Sequence, residues 1–276
     1  MKPFYSIIIP TLNEELFLPK ILSDLKNQKE KNFEVIIVDG SSTDSTHKVA
    51  TAYRTHLPIK FLKANKRNVS HQRNIGAKKA NGEYFIFVDA DARINPMFIK
   101  QLSKELSKNK SLIILPALYP LGGNQSDRVL FKVANFFFEN SLNLSKPIPS
   151  GSLMIFQRHL FNHIGGYRET RQQDKKVLYP EDWDIILRAS NSGVKAKFMR
   201  NLKVRFSLRR FKGDKFNVVK NYIEAAIQWT TKGKLKKNIA YQMGGHLYVS
   251  DKTKESSLKE IEKLLKEAKG ADSHTV

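Results

Sequence analysis

From residue 6 to residue 88 the chain switches repeatedly between β-type apolar runs and segments of helical period, and this alternation constrains the fold more than any other feature of its 276 residues. Ser6-Ile7-Ile8-Ile9 reads as a buried strand. Thr11-Leu12-Asn13-Glu14 then offers a capping box ahead of Leu18, Ile21, Leu22 and Leu25 at helical spacing. Phe33 to Val38 is a second β-branched run, followed by polar Ser41-Ser42-Thr43-Asp44 and a helical segment to about Tyr53. Ile59 to Leu62 is a third strand, Val69 to Ala80 a helix that Asn81-Gly82 stops, and Tyr84 to Val88 a fourth strand. Strand–helix units in such close succession imply right-handed crossovers and a mainly parallel α/β sheet with helices on both faces. In open sheets of this kind, ligands bind beyond the carboxyl ends of the strands.

Three polar clusters follow those strand ends: Pro10-Thr11-Leu12-Asn13-Glu14, Asp39-Gly40-Ser41-Ser42-Thr43-Asp44 and Asp89-Ala90-Asp91. They should converge on one rim. A glycine-rich phosphate loop is missing: no G-x-G-x-x-G follows the first strand and no G-x-x-x-x-G-K-[ST] occurs. That argues against a dinucleotide dehydrogenase and a P-loop NTPase, and leaves carboxylates acting through a metal as the way to hold a nucleotide. Asp89 and Asp91, one residue apart at a strand exit, are expected to point to the same side, where they can recruit a hard divalent cation. Such an ion would neutralise a departing diphosphate. Asp39 can accept a hydrogen bond from a base N–H or ribose hydroxyl, or can simply form a turn ahead of Gly40; Asp44 can cap a helix.

Beyond residue 92, Asn95-Pro96 starts a helix carrying Ile99, Leu102 and Leu106, and Leu112 to Leu115 is another strand. Val129 to Phe138 is strongly aromatic, Ser152 to Phe156 reads as a strand, and Gly165-Gly166-Tyr167 as a turn. Trp183 to Ala189 carries helical spacing and closes at Ser192-Gly193. Just before it, Glu181, Asp182 and Asp184 place acids at a helix start, where they complement the helix dipole. One of them can also serve as a general base that takes the proton of an attacking hydroxyl, and Asp182 is the candidate.

These motifs, in order, resemble those of family 2 glycosyltransferases with the GT-A fold: Ser6 to Glu15, Val38 to Thr46, Arg73-Asn74-Ile75-Gly76-Ala77, Gly82 to Asp91, and Glu181-Asp182-Trp183-Asp184. The resemblance covers roughly residues 5–210. It implies a nucleotide-diphosphate-sugar donor, UDP-linked in preference to GDP-linked, Mg2+ or Mn2+, and usually inversion at the anomeric carbon. Carried over, Pro10, Thr11 and Glu14 border the nucleoside, Asp39 contacts the base, and Arg73 lies against the base or phosphates. Asp89 and Asp91 then handle ribose, metal and diphosphate, and Asp182 acts as base. Gly166-Tyr167, Glu181 and Trp183 lie on the acceptor side. There are two departures: many members carry a second acid where Gly40 stands, and many carry a His near Val204 to Arg210. An Arg can stabilise an anion by bidentate bonding, which makes Arg209 and Arg210 candidate clamps for the leaving group; the alternative is a solvated basic strand end. The implied organisation is a nucleotide-binding half over 1–115, an acceptor-binding half over 116–210, and a basic helical extension over 211–276.

Charge and composition bound the rest. The chain has 48 Lys+Arg against 26 Asp+Glu, a formal net charge of +22, and no cysteine, so thiol chemistry, disulfides and Cys-ligated metals are excluded. Residues 200–237 hold 12 Lys+Arg against Asp214 and Glu224, a local excess of 12 − 2 = +10. Phe211, Phe216, Val219, Tyr222, Ile223, Ile227 and Trp229 lie among those cations, a pattern that suits an anionic membrane surface and equally a core-packed helix. Lys254 to Lys269 reads as a Lys/Glu helix. No window reaches the roughly 18 apolar residues of a spanning helix, and the amino-terminal apolar stretch is shorter than a signal peptide's. The expected location is therefore cytoplasmic, peripheral to the membrane at most. The expected acceptor is a glycan or a lipid-linked hydroxyl. A different class remains open: a non-catalytic basic protein of the same fold that binds nucleic acid, anionic membrane or polysaccharide.

Overall fold

The computed structural model describes residues 3–169, 180–207 and 215–233. Arg209, Arg210 and the helix expected over Lys254 to Lys269 lie outside the described residues.

The alternating first half folds as β1 (Tyr5–Thr11), α1 (Leu18–Lys26), β2 (Phe33–Asp39), α2 (Thr46–Ala52), β3 (Ile59–Lys63), α3 (Val69–Lys79) and β4 (Tyr84–Val88). It continues through β5 (Arg93–Ile94), α4 (Phe98–Lys108), β6 (Ile113–Leu121), α5 (Gln125–Ser141), β7 (Leu153–Gln157), α6 (Arg158–His163), α7 (Glu181–Asn191), β8 (Lys197–Ser207) and α8 (Lys215–Lys232). The strands form one eight-stranded sheet in the order β3-β2-β1-β4-β7-β6-β8-β5. β6 runs through residue 115, so the nucleotide-side and acceptor-side segments share that sheet.

The sheet is mixed where the sequence suggests a mainly parallel one. β3, β2, β1 and β4 are parallel, and so are β6 and β8, but β7 pairs antiparallel with both β4 and β6, and β5 antiparallel with β8. The apolar run of β7 carries no sign of direction, since buried strands of either sense read alike.

Side chains alternate between two layers, as the period of two requires. Ile7 and Ile9 of β1 join the α1, α2 and α4 residues Leu22, Val49 and Leu102, while Ile8 packs with Ala77 of α3, Phe161 of α6 and Ile186 of α7. A smaller cluster joins Trp183 of α7 to Ile148 and to Ala225, Ala226 and Trp229 of α8.

Two local expectations change. Thr11 and Glu14 do not cap α1. Thr11 finishes β1, Asn13 adopts φ 57°, and α1 begins only at Leu18, with Pro19 in its first turn and no side-chain cap. The Thr11 hydroxyl is committed instead to Asp39, at 3.1 Å. Likewise Gly82 does not stop α3 in a left-handed conformation, because the cap at Ala80 is extended. A Cβ on Gly82 would lie 2.5 Å from the Ser6 nitrogen, so glycine is required there by the close passage of β1.

The sheet also creates the crevice. β1 pairs with β2 along its whole length, up to Thr11↔Asp39, but with β4 only as far as Ile8↔Phe87. Beyond Ile8 the two neighbours part, with Pro10 on the open stretch, where one ladder is already absent. This is the point at which the strand order reverses, the usual ligand position in open α/β sheets.

Candidate active site

On one side of the crevice, Asp39 pins the loop that follows β2. Its Oδ1 accepts hydrogen bonds from the Thr11 hydroxyl (3.1 Å) and the Ser42 hydroxyl (2.5 Å), and its Oδ2 accepts one from the Ser42 N–H (2.9 Å). Three of a carboxylate's roughly four acceptor positions are thus in use. Ser41 next to it takes φ 68°, which sharpens the turn. Asp44 is not the N-cap of α2, which is Ser45; it stands one residue earlier and accepts from the Thr46 N–H at 2.9 Å and from the Glu15 N–H at 3.1 Å. Glu14 is half-buried, its N–H bonded to the Thr46 hydroxyl at 2.9 Å.

The other side is organised by Arg73 of α3, which is only 4% exposed. Its two terminal amino groups reach Asp89 Oδ1 at 3.1 Å and Glu181 Oε1 at 3.3 Å, and its guanidinium lies 5.0 Å from the centre of the Tyr167 ring. Burial disfavours the Arg73 charge, but Tyr167, Asp89, Glu181 and Asp182 around it raise its pKa above the ordinary value. Glu181 and Asp182 open α7 from a Pro180 cap with no side-chain hydrogen bond, so the helix dipole and Arg73 are what these acids face. The Asp182 carboxyl is pushed up to about 8, first by burial and next by the negative Glu181 beside it, against the pull of Arg73. A base poised so near neutrality suits proton abstraction.

Asp89 and Asp91 do not follow the strand pleat. β4 stops at Val88, and the Ala92 N–H bonds back to the Asp89 carbonyl at 3.1 Å, so a turn relates the two carboxylates. Asp89 keeps 21% of its side chain exposed, whereas Asp91 is buried at 2%. No three His, Asp or Glu side chains close around one point among the described residues. Two hard carboxylates, one open and one buried, nevertheless fit Mg2+ or Mn2+, whose remaining positions are completed by phosphate oxygens and water in nucleotide sites.

Part of this geometry rests on a residue outside every motif. Gln72, adjacent to Arg73, donates from Nε2 to the carbonyls of Thr11 (2.8 Å) and Val38 (2.7 Å), closing the strand ends on the Asp39 side. The Gln72 amide lies 3.2 Å from where a Cβ on Gly40 would stand, so a side chain at residue 40 would press on it. Adjacent side chains of one helix turn therefore tie both sides of the crevice together. Asn74 grips Tyr167 through both main-chain groups, at 2.8 and 2.9 Å, and Gly166 takes φ 66° so that the chain passes Asn74. Tyr167 and Trp183 are both buried, so neither is open to a bound molecule. The Trp183 indole donates to the Pro149 carbonyl at 3.1 Å, and its ring meets Trp229 at 5.8 Å and Tyr222 at 5.7 Å. That contact makes α8 a buttress of α7, in keeping with a core-packed helix. Asp184, by contrast, is structural: it is buried between Arg168 (2.9 Å) and Arg188 (2.8 Å).

Comparison with known proteins identifies the family. The family model described as "Glycosyl transferase family 2" matches residues 6–165. Poly(ribitol-phosphate) beta-N-acetylglucosaminyltransferase TarS of Staphylococcus aureus strain MW2 is 32% identical over 183 residues, which are 64% of this chain and 30% of TarS. The dolichol-phosphate mannosyltransferase of Pyrococcus furiosus is 28% identical over 73% of this chain and 55% of its own length. The chain therefore spans between about a third and about half of these two relatives. Among solved structures, the mannosyltransferase PcManGT of Pyrobaculum calidifontis, in complex with GDP-Man and Mn2+, superposes with a TM-score of 0.65 over 100% of this chain and 77% of its own, at 18% identity. S. aureus TarS 1-349 in complex with UDP-GlcNAc gives 0.60 at 23% identity over 97% of this chain and 79% of its own, so both likenesses concern the fold. The GT-A architecture, the ordered motifs and the matched span lead to one conclusion: the chain belongs to glycosyl transferase family 2.

Proposed function

We propose that this chain moves a sugar from a nucleotide-diphosphate donor, UDP-linked in preference to GDP-linked, to a hydroxyl of a glycan or lipid-linked acceptor, with inversion at the anomeric carbon. The observation that carries the reading is the gathering of Asp89, Glu181 and Asp182 around Arg73 at the carboxyl ends of β1 and β4, across 108 residues of sequence between Arg73 and Glu181. The nucleoside would lie against Pro10, Thr11, Glu14 and Asp39, with the diphosphate toward Asp89 and Asp91. Asp182 takes the proton of the acceptor hydroxyl as that oxygen attacks the anomeric carbon from the face opposite the leaving diphosphate, which inverts the centre. A divalent cation held by Asp89 and Asp91 would supply neutralisation of the leaving group. Arg73 keeps Asp89 and Glu181 at fixed separation, so that reorganisation is not needed when the donor enters. Arg209 and Arg210 remain candidates for the leaving-group clamp.

The test is melting of the full chain against UDP- and GDP-sugars, with and without Mn2+, followed by assay of transfer or hydrolysis. A donor at about 100 times its Kd stabilises the native state by about 2.7 kcal/mol. We expect a donor-dependent rise in Tm that Mn2+ enlarges. No shift with any nucleotide sugar, together with tight duplex-DNA binding at moderate salt, would favour the non-catalytic basic protein instead.

A second expected result concerns Gly151. A Cβ there would lie 2.4 Å from Asp182 Oδ2 and 3.0 Å from its Cγ, so Gly151→Ala must displace the carboxylate. A displacement of the order of an ångström costs up to about 100-fold in rate. Steady-state kinetics of Gly151→Ala should show kcat down roughly 10- to 100-fold with donor affinity within about twofold.

A further inference from the structure

α5 is amphipathic the wrong way round for a helix that serves only the core. Its inner face is built from Asp127, Phe131 and Phe138, while Val129 (52% exposed), Val133 (60%), Phe136 (65%) and Phe137 (41%) face outward. At 100° per residue these four lie within about 100° of arc, with Lys132 and then Arg128 along one border. α8, which meets the inner face of α5 where the Tyr222 and Phe138 rings lie 5.9 Å apart, carries exposed Ile223 and Ile227 of its own. A surface cavity of about 450 Å3 at the start of α5 is lined by Gly123, Asn124, Gln125, Arg128, Val129 and Lys132, and so joins the cations to the apolar stripe.

We infer that the outward face of α5 is a docking surface for an anionic lipid bilayer, with the apolar side chains entering the interface and Arg128 and Lys132 meeting lipid phosphates. Charge decides among the occupants. The acids of α5 are already engaged, Asp127 in the capping box with Asn124 and Glu139 with Arg200 at 2.7 Å, so the border of the stripe is cationic. A second copy would bring another +22 against it, and the sequence after residue 233 is itself net basic; an anionic surface is complementary to both the patch and the chain. No described helix is long and apolar enough to cross a membrane, so this face would lie on the bilayer. Docking is independent of the transferase chemistry. Its consequence for that chemistry is that α8, seated on Trp183 beside Asp182, holds the site close to a lipid-linked acceptor.

The experiment is co-sedimentation of the full chain with vesicles of phosphatidylcholine alone and of phosphatidylcholine with phosphatidylglycerol, at about 0.15 M and about 0.5 M salt. The variants are Phe136→Ser/Phe137→Ser and Arg128→Glu/Lys132→Glu, all four positions being exposed, with melting and nucleotide-sugar binding measured in parallel. We expect wild type to bind the anionic vesicles and to keep part of that binding at high salt. The Phe pair variant should bind at least about tenfold more weakly and lose the salt-resistant part, and the charge-reversed pair should lose binding at low salt. Vesicle binding by the Phe variant equal to wild type would overturn the inference as adsorption by net charge alone. So would absence of vesicle binding together with a dimer that the Phe variant dissociates, or with uncovering of the stripe on removal of residues 234–276. Loss of nucleotide-sugar binding in wild type would defeat the transferase reading and leave the docking result standing.

Discussion

Asp182→Asn should lower kcat by about 10^2- to 10^4-fold, the usual contribution of a positioned general base, while raising the melting temperature at pH 8. The two effects have one cause. In the folded chain the Asp182 carboxyl holds its proton to about 8, whereas an unfolded Asp ionises near 3.9. Between those values the unfolded state binds fewer protons than the native state, so stability falls as pH rises from about 4 to about 8. Asn keeps an oxygen for the Trp183 N–H, 3.0 Å from Asp182 Oδ1, and removes the ionisation that burial and Glu181 oppose. We expect a gain of at least about 1 kcal/mol at pH 8, equivalent to roughly 2–4 °C for a domain of this size, and no gain near pH 4. Calorimetry at the two pH values, set beside single-turnover transfer, checks both halves. The wild-type kcat/KM should correspondingly rise with pH and level off above about 8, because the ionised carboxylate is the reactive form. A variant that loses activity but melts identically at both pH values would mean that Asp182 is not held protonated.

The second large effect is expected at Arg73. Arg73→Met removes the buried cation between Asp89 and Glu181 and leaves their partly exposed carboxylates facing each other and Asp182. Breaking a buried pair by removing one partner typically costs about 3–5 kcal/mol, far more than the net contribution of the intact pair. Urea unfolding at pH 7 should register that loss as a lower midpoint with unchanged slope. Arg73→Lys should recover little: one ammonium cannot present two separate amino groups at 3.1 and 3.3 Å to acids on different elements while lying 5.0 Å from the Tyr167 ring centre. An unchanged midpoint would mean that Arg73 does not hold the two acids together.

Much of the first half of the fold was legible because its strands are buried on both faces and bounded by polar turns. The runs Phe33 to Val38 and Tyr84 to Val88 fall inside or coincide with β2 and β4. Helix ends were less so. Thr11 and Glu14 have the spacing of a capping box, yet a partner 28 residues away, Asp39, claims the Thr11 hydroxyl and carries β1 onward. β6 extends to Leu121 through Pro116 and Pro120 because its β7 ladder covers only Ile113 and Ile114, so both prolines lie where one side of the strand is unpaired, and the β8 ladder breaks register between Pro116 and Ala117. Nothing in a short apolar run reveals that β7 enters antiparallel between β4 and β6.

The sequence by itself determined the family, the α/β alternation and the carboxylates at the strand ends, since all of these are written in local period and in short ordered motifs. Only the tertiary structure decided which groups face one another. It set Arg73 between Asp89 and Glu181, Gln72 across the ends of β1 and β2, Gly151 against Asp182, and the apolar side of α5 outward. Those relations span tens of residues and depend on which surfaces the sheet order brings together, so no window of sequence contains them.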